Sequence, residues 1–80
     1  MTQASAAAIR EGLLRARWTL SDLWIATLGI GGAFSSADVV AIIDDRREAT
    51  AAEHNILAAA LNDYFTGEGH DHPVPYWRDL

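Results

Sequence analysis

Three copies of one helix-start signal limit the folds open to this chain more than any other feature. In each copy a serine or threonine stands three residues before an aspartate or glutamate. In such a capping box the hydroxyl accepts a hydrogen bond from the third amide of the helix, and the carboxylate accepts one from the capping residue's own amide. The pairs are Thr19 with Asp22, Ser35 with Asp38, and Thr50 with Glu53. Three such starts within 80 residues predict an all-α fold.

Hydrophobic periodicity extends these starts to about four helices. It predicts helices over residues 4–17, 20–28, 36–47 and 51–66. The fourth has the clearest apolar stripe, formed by Ile56, Leu57, Ala60, Leu61, Tyr64 and Phe65. Asn55, Asn62 and Asp63 are expected to face away from that stripe.

The length of the chain allows one small domain, which we divide into two parts. The helical part is predicted over residues 1–67. Residues 68–80 form an extended tail, because Pro73 and Pro75 restrict the backbone around Val74. The sequence contains no cysteine, so disulfides and thiolate metal sites are excluded.

The second predicted helix is apolar on nearly every side, and its polar residues Ser21 and Asp22 both lie in the first turn. A helix of this kind is covered on more than one side. It is therefore expected to be the central helix or an interface. We assign the candidate interface to Trp24, Ile25, Val74, Tyr76 and Trp77, since large aromatic residues are typical interface anchors.

The charge of the chain argues against nucleic-acid binding. The formal net charge is −5, and all six basic residues are arginine. Affinity for nucleic acid comes mostly from cations that displace counterions. Residues 19–47 resemble a helix-turn-helix in outline, but the candidate recognition helix presents Asp38, Asp44 and Asp45. An atypical helix-turn-helix regulator is thus the second interpretation.

The histidines of the tail give a third interpretation, which is metal binding. His70 and His72, with Glu68 and His54, are residue types that ligate zinc or nickel. The alternative is a solvated polar tail, which the glycines beside this segment and the absence of obvious supporting residues favour.

No motif for catalysis or cofactor binding is present. The segment Gly29-Ile30-Gly31-Gly32 follows a helix, and the chain has no lysine, so it is interpreted as a helix end and not a phosphate loop. The acidic and basic residues at 44–48 include no nucleophile. We therefore expect no enzyme activity, no cofactor and no small-molecule substrate.

The longest apolar run, residues 23–34, spans about 18 Å as a helix and is too short for a bilayer. Asp22 at the start of the run argues against a signal peptide. A cytoplasmic protein without membrane contact is expected.

From Leu23 onward the chain resembles a group of short actinobacterial proteins without an assigned activity. The segments that carry the resemblance are Leu23-Trp24, Leu28-Gly29-Ile30-Gly31-Gly32, residues 53–58 with 60–62, and Val74-Pro75-Tyr76. The resemblance implies a bacterial, cytoplasmic, helical protein, and it transfers no catalytic residue. Together with the residue patterns it favours a non-enzymatic interaction or regulatory module that acts through a protein partner or as a homo-oligomer.

Overall fold

The computed structural model describes residues 3–80. It contains four α-helices and a short C-terminal 3-10 helix. They are α1 (Ala4–Ala16), α2 (Leu20–Gly29), α3 (Ser36–Ile43), α4 (Ala51–Gly67) and the 3-10 helix Trp77–Asp79. The described residues include no strand, which confirms the predicted all-α class.

The three capping boxes are all formed, and this explains why α2, α3 and α4 begin where they do. At α2 the Asp22 amide donates to Thr19 Oγ1 over 3.1 Å, and the Thr19 amide donates to Asp22 Oδ2 over 2.8 Å. The same reciprocal pair starts α3 and α4. The first helix begins at Ala4, and the side chain of its N-cap residue, Gln3, makes no capping bond.

All four helices end in the same way, with one residue in the left-handed conformation. These residues are Arg17 (φ 57°), Gly31 (φ 85°), Asp45 (φ 61°) and Gly69 (φ 86°). In each case the next amide donates to the carbonyl five residues back, as in the bond of 2.8 Å from Gly32 to Thr27. This is the Schellman motif, which satisfies carbonyl groups that the helix leaves open.

The third helix is four residues shorter than predicted. It stops at Ile43 because Asp45 takes the left-handed conformation and the Arg46 amide returns to Ala41. Contacts from α1 hold this end. Arg10 Nε donates to the Ile43 carbonyl over 2.7 Å, and Asp45 Oδ1 accepts the Gln3 amide over 3.0 Å. Asp45 therefore caps the start of α1 while it ends α3.

The centre of the fold is α4, and the expectation that the second helix is central was wrong. The fourth helix packs against α1, α2 and the 3-10 helix, and its Leu57, Ala58 and Leu61 are fully buried. In α2 only Leu23 and Thr27 are buried. A chain of 80 residues lacks the material for a second layer over α2, so the outer side of that helix faces solvent.

Gly12 allows α1, α4 and the C-terminal segment to meet. A Cβ atom at this position would lie 2.8 Å from Leu61 Cδ1 and 2.9 Å from Val74 Cγ2. Both distances are closer than normal packing permits. Gly12 destabilises α1 by up to about 1 kcal/mol relative to alanine. Its lack of a side chain leaves room for Val74 in the core.

The C-terminal segment, residues 68–80, is held by Asn62, which the sequence analysis wrongly placed on the outer face of the helix. Asn62 is 1% exposed. Its Nδ2 donates to the Val74 carbonyl and its Oδ1 accepts the Val74 amide, each over 2.9 Å. Further along, the Trp77 amide donates to Asn55 Oδ1 over 2.8 Å. The segment is thus packed onto α1 and α4 and completes the same core.

Arg47 and Glu53 form the closest ion pair of the described residues, across the turn before α4. The two guanidinium nitrogens lie 2.9 and 2.8 Å from the two carboxylate oxygens. This bidentate bond, opposed by partial burial and supported by the Thr50 amide, lowers the pKa of Glu53 from 4.5 to about 2. The ion pair thus joins Arg47, in the turn after α3, to the first turn of α4.

The lowered pKa of Glu53 predicts a defined acid sensitivity. Because the folded carboxyl resists protonation, its contribution to stability is complete above pH 4.5 and is lost as the pH falls towards about 2. We expect Glu53→Gln, which keeps an oxygen for the cap, to lose less stability than wild type over that range. Urea midpoints at a series of pH values measure this. Exposed Glu68 provides the control, since Glu68→Gln should retain the wild-type slope.

Candidate interaction surface

Large apolar side chains are exposed where α1 ends and along the outer side of α2. Leu14 is 80% exposed, Ile25 60% and Leu28 49%. Single exposed apolar residues are normal on a protein surface, whereas neighbouring ones mark contact sites.

Two open grooves lie beside Leu14 and Ile25. The first, of about 330 Å³, lies between α1, α2 and α3 and is lined by Arg10, Leu13, Leu14, Trp18, Leu20 and Ile43. The second, also about 330 Å³, is lined by Trp18, Asp22, Ile25 and Ala26. Because Trp18 lines both, the grooves are neighbours. We call the surface formed by Leu14, Trp18, Leu20, Ile25 and Leu28 the α1/α2 face.

Trp18 is held in place at the middle of this face. Its ring lies 5.2 Å from the ring of Tyr64, at 54°. Its amide donates to the Leu13 carbonyl over 3.1 Å as part of the Schellman motif of α1. A half-buried tryptophan fixed in this way needs little further ordering when a partner binds.

One charged residue lines each of the two grooves. Arg10 lines the first groove, and it lies on the same side of α1 as Leu14, one turn away. Exposed Arg17 adds a second cation at the end of that helix. Asp22 lines the second groove. The guanidinium of Arg10 lies 3.4 Å from Asp45 Oδ2, so its charge is already balanced within the chain.

The predicted interface residues are dispersed in the structure. Of the five, Ile25 and Trp77 are exposed, whereas Trp24 is half-buried and donates from Nε1 to the Phe34 carbonyl over 3.0 Å. Tyr76 is also half-buried. Val74, at 2% exposure, belongs to the core, so its assignment to an interface is corrected.

A second apolar patch lies at the opposite end of α1. There Trp77 and Leu80, 39% and 45% exposed, border a cavity of about 260 Å³ that residues 3–5 also line. Ser5 and Leu14 are separated by nine residues of α1, which is about 14 Å. The tail and α2 thus form two separate surfaces, and not the single one expected from the sequence.

Ser5 and His54 form a buried polar pair beneath this second patch. Ser5 Oγ lies 2.6 Å from His54 Nδ1, and His54 Nε2 lies 2.8 Å from the Pro75 carbonyl oxygen. A carbonyl only accepts, so Nε2 donates to it, and in a neutral imidazole Nδ1 then accepts from the serine. A general base must lie within hydrogen-bond reach of the proton that it takes from a substrate. His54 is fully buried and both of its nitrogens are bonded. The histidine therefore joins α1, α4 and the tail.

The four candidate metal ligands are not brought together. His54 is enclosed as described, His70 packs edge-on to Phe65, and His72 Nδ1 contacts Asp71 over 3.0 Å. Glu68 is the C-cap residue of α4. Across residues 3–80 no group of three or more histidine, aspartate or glutamate side chains is arranged to hold a metal ion.

The helix-turn-helix outline also departs from the motif. Six residues, 30–35, separate α2 from α3, whereas the motif uses a turn of three or four. Asp38 is occupied by the capping box and lies 4.0 Å from Arg47.

Leu14, Trp18 and Leu20 belong to the α1/α2 face, and the sequence analysis assigned none of them to an interface. A signal for Leu14 was present. It lies about 100° from Leu13 on the helix and therefore outside the stripe of Ile9, Leu13 and Ala16. No comparable signal identified Ser5, whose partner lies 49 residues away.

No family model, curated protein or solved structure matches the chain in the comparisons. The helices described over residues 3–80 include none with the length and apolar character needed to cross a membrane.

Proposed function

We propose that this protein is a non-enzymatic interaction module that binds a protein partner or a second copy of itself through the α1/α2 face. The observation that carries the proposal is the exposure of Leu14, Ile25 and Leu28 around the fixed ring of Trp18. An apolar centre with an aromatic anchor and a charged rim is the usual composition of a protein interface. We also propose a cytoplasmic location, which rests on the sequence patterns alone.

The absence of enzyme activity is part of the proposal. Its support is the enclosed position of His54, whose nitrogens are both bonded within the fold. A regulatory role through DNA is the weaker alternative, because the net charge is −5 and the turn before α3 is long.

We predict no tight DNA binding at physiological salt. An acidic domain without a cluster of cations gains little from counterion release. Gel shifts with genomic fragments at two salt concentrations measure this. A sequence-selective shift that weakens with salt would contradict the prediction and favour the DNA-binding alternative.

The proposed function predicts that Leu14→Glu and Ile25→Glu each abolish association without a loss of fold. Both side chains are largely exposed, so their replacement should change the unfolding free energy by about 0.5 kcal/mol or less. Light scattering over a concentration series measures self-association. Capture from a host lysate, with identification of the bound protein, measures other partners.

The matched control is Leu80→Glu, at the separate tail patch, which should retain binding. If the wild type is monomeric and no identified partner is lost in either variant, the α1/α2 face has no binding role and the proposal is wrong.

A further inference from the structure

We propose that the cleft between α1 and α4 is a peptide-binding site for residues 73–77, and that two copies of this chain exchange these residues to form a dimer. The inference goes beyond the proposed function, because the cleft uses no residue of the α1/α2 face. It depends on how the segment is bound, on how it is connected to α4, and on the backbone of His72.

The segment is bound in the way that a peptide ligand is bound, through its main chain and one buried side chain. Val74 fills the space that Gly12 leaves beside Leu61 and is 2% exposed. Asn62 bonds to both the amide and the carbonyl of Val74, each over 2.9 Å. In peptide recognition, main-chain hydrogen bonds give affinity and pockets for side chains give specificity. Pro75 restricts Val74 to an extended backbone, which lowers the ordering cost of binding.

Two more bonds continue this recognition of the main chain. His54 Nε2 donates to the Pro75 carbonyl over 2.8 Å, and Asn55 Oδ1 accepts the Trp77 amide over 2.8 Å. With Asn62, three side chains of α4 therefore bind the main chain of the segment. Every copy of the chain presents the same cleft, so the segment of a second copy makes the same bonds there.

The linker between α4 and the segment, residues 68–72, takes no part in the cleft. It is exposed throughout. Its hydrogen bonds go to the last turns of α4 or stay within the linker, as between His72 and Asp71. An exchanged dimer therefore keeps the bonds of the cleft and changes the linker alone. Such an exchange of an identical element is a low-cost route to a dimer.

The backbone of His72 favours the exchange. It has φ 46°, in the left-handed region that residues with a Cβ atom avoid. A residue before proline normally has φ of about −120°, and Pro73 follows. The closed chain holds His72 in this strained conformation, whereas an opened linker lets it become extended. Strain in a short hinge promotes exchange of the segment that the hinge carries.

A variant of the full chain with two cysteines reports the arrangement directly, since the sequence contains no cysteine. Asn55→Cys with Trp77→Cys places the thiols where the segment meets α4. The variant is refolded from urea at a series of protein concentrations and oxidised with glutathione disulfide. A closed chain forms its disulfide within one molecule, and an exchanged pair forms two between molecules. We expect a linked dimer of twice 8.7 kDa whose fraction rises with the concentration during refolding.

The matched control is Asp63→Cys with Trp77→Cys. Asp63 lies eight residues after Asn55 on α4, which is about 12 Å, so little disulfide of either kind is expected. In the Asn55→Cys, Trp77→Cys background, His72→Gly removes the strain and should lower the dimer fraction about fivefold or more. Asp71→Gly adds the same backbone freedom at a neighbour whose φ is not positive, and should leave the fraction unchanged.

The wild type provides a measurement without any substitution in the cleft. An exchanged dimer persists on dilution because the bonds of the segment must break before it separates, whereas association through the α1/α2 face reverses. Gel filtration at low concentration, after refolding at high concentration, should therefore still show a dimer. Chains refolded at low concentration are closed, and the association tests of the proposed function use that form. Leu14→Glu should leave the exchanged dimer unchanged.

Three results would overturn the exchange. These are disulfides within single molecules only at every concentration, as much linked dimer from the Asp63→Cys control, and equal dimer fractions with His72→Gly and Asp71→Gly. A dimer that Leu14→Glu removes would belong to the α1/α2 face, which supports the proposed function and overturns the exchange. A persistent dimer that Leu14→Glu leaves intact, from closed chains that neither associate nor bind a lysate partner, supports the exchange and overturns the proposed function.

Discussion

Leu61→Ala is expected to lower the free energy of unfolding by about 2–5 kcal/mol. Leu61 is fully buried in α4, and its Cδ1 packs at the place where Gly12 and Val74 meet. Removal of three carbon atoms loses their transfer free energy and leaves a cavity. Three elements surround the site, so the fold has limited freedom to collapse into it. Urea denaturation, fitted to two states, measures the loss.

The control for this prediction is the same substitution on the surface. Leu14 is 80% exposed, so Leu14→Ala should change the unfolding free energy by about 0.5 kcal/mol or less. Both variants are measured at low protein concentration, because association through the α1/α2 face would add to the stability. Similar midpoints for Leu61→Ala and wild type would place Leu61 outside the core and contradict the packing described for α4.

Asn62→Ala is expected to destabilise by about 2–4 kcal/mol, although it removes an ordinary polar residue. The side chain is 1% exposed and satisfies both the amide and the carbonyl of Val74. Its loss leaves two buried backbone groups without partners, and each costs about 1–3 kcal/mol. The lower part of the combined range applies because the C-terminal segment can detach, which exposes these two backbone groups to water.

Detachment gives the Asn62 prediction a second readout. When the segment separates, Val74 leaves the core and the Trp77 ring leaves its edge contact with His54, at 5.9 Å between ring centroids. Amide exchange at Val74 should therefore accelerate in Asn62→Ala more than exchange in the middle of α4. Asp63→Ala, one residue away and exposed, is the control and should behave as wild type. Equal exchange at Val74 in both variants would show that Asn62 does not hold the segment.

The C-terminal segment also changes how the tail aromatic residues are interpreted. Tyr76 and Trp77 appeared from the sequence to be partner-binding groups, because large aromatic residues are seldom left on a free tail. In the structure the segment is fastened at Val74, Pro75 and Trp77 by Asn62, His54 and Asn55 in turn. Its aromatic residues therefore have a neighbour in their own chain. Trp77 and Leu80 remain partly exposed, and the most exposed large apolar side chains, Leu14 and Ile25, lie on the α1/α2 face.

The sequence by itself determined where the helices begin, because a capping box is local. Thr50 and Glu53 are three residues apart, so the same two bonds form whatever surrounds them. The starts of α2, α3 and α4 agree with the prediction for this reason, and the ends of α2 and α4 lie within one residue of it. Periodicity in α4 likewise identified Leu57 and Leu61 as core residues.

Only the tertiary structure decided which polar residues are buried and which apolar ones are exposed. Asn62 is buried because a segment twelve residues later presents backbone groups to it. His54 is buried because its partner, Ser5, is brought to it from 49 residues earlier in the chain. The end of α3 depends on Arg10 of α1 and on Gln3, the residue before α1. Periodicity reports the face of a helix that prefers burial, and it contains no information about whether a small chain has enough material to cover every apolar face. This chain does not have enough material to cover the outer side of α2, so Ile25 remains exposed and available to a partner.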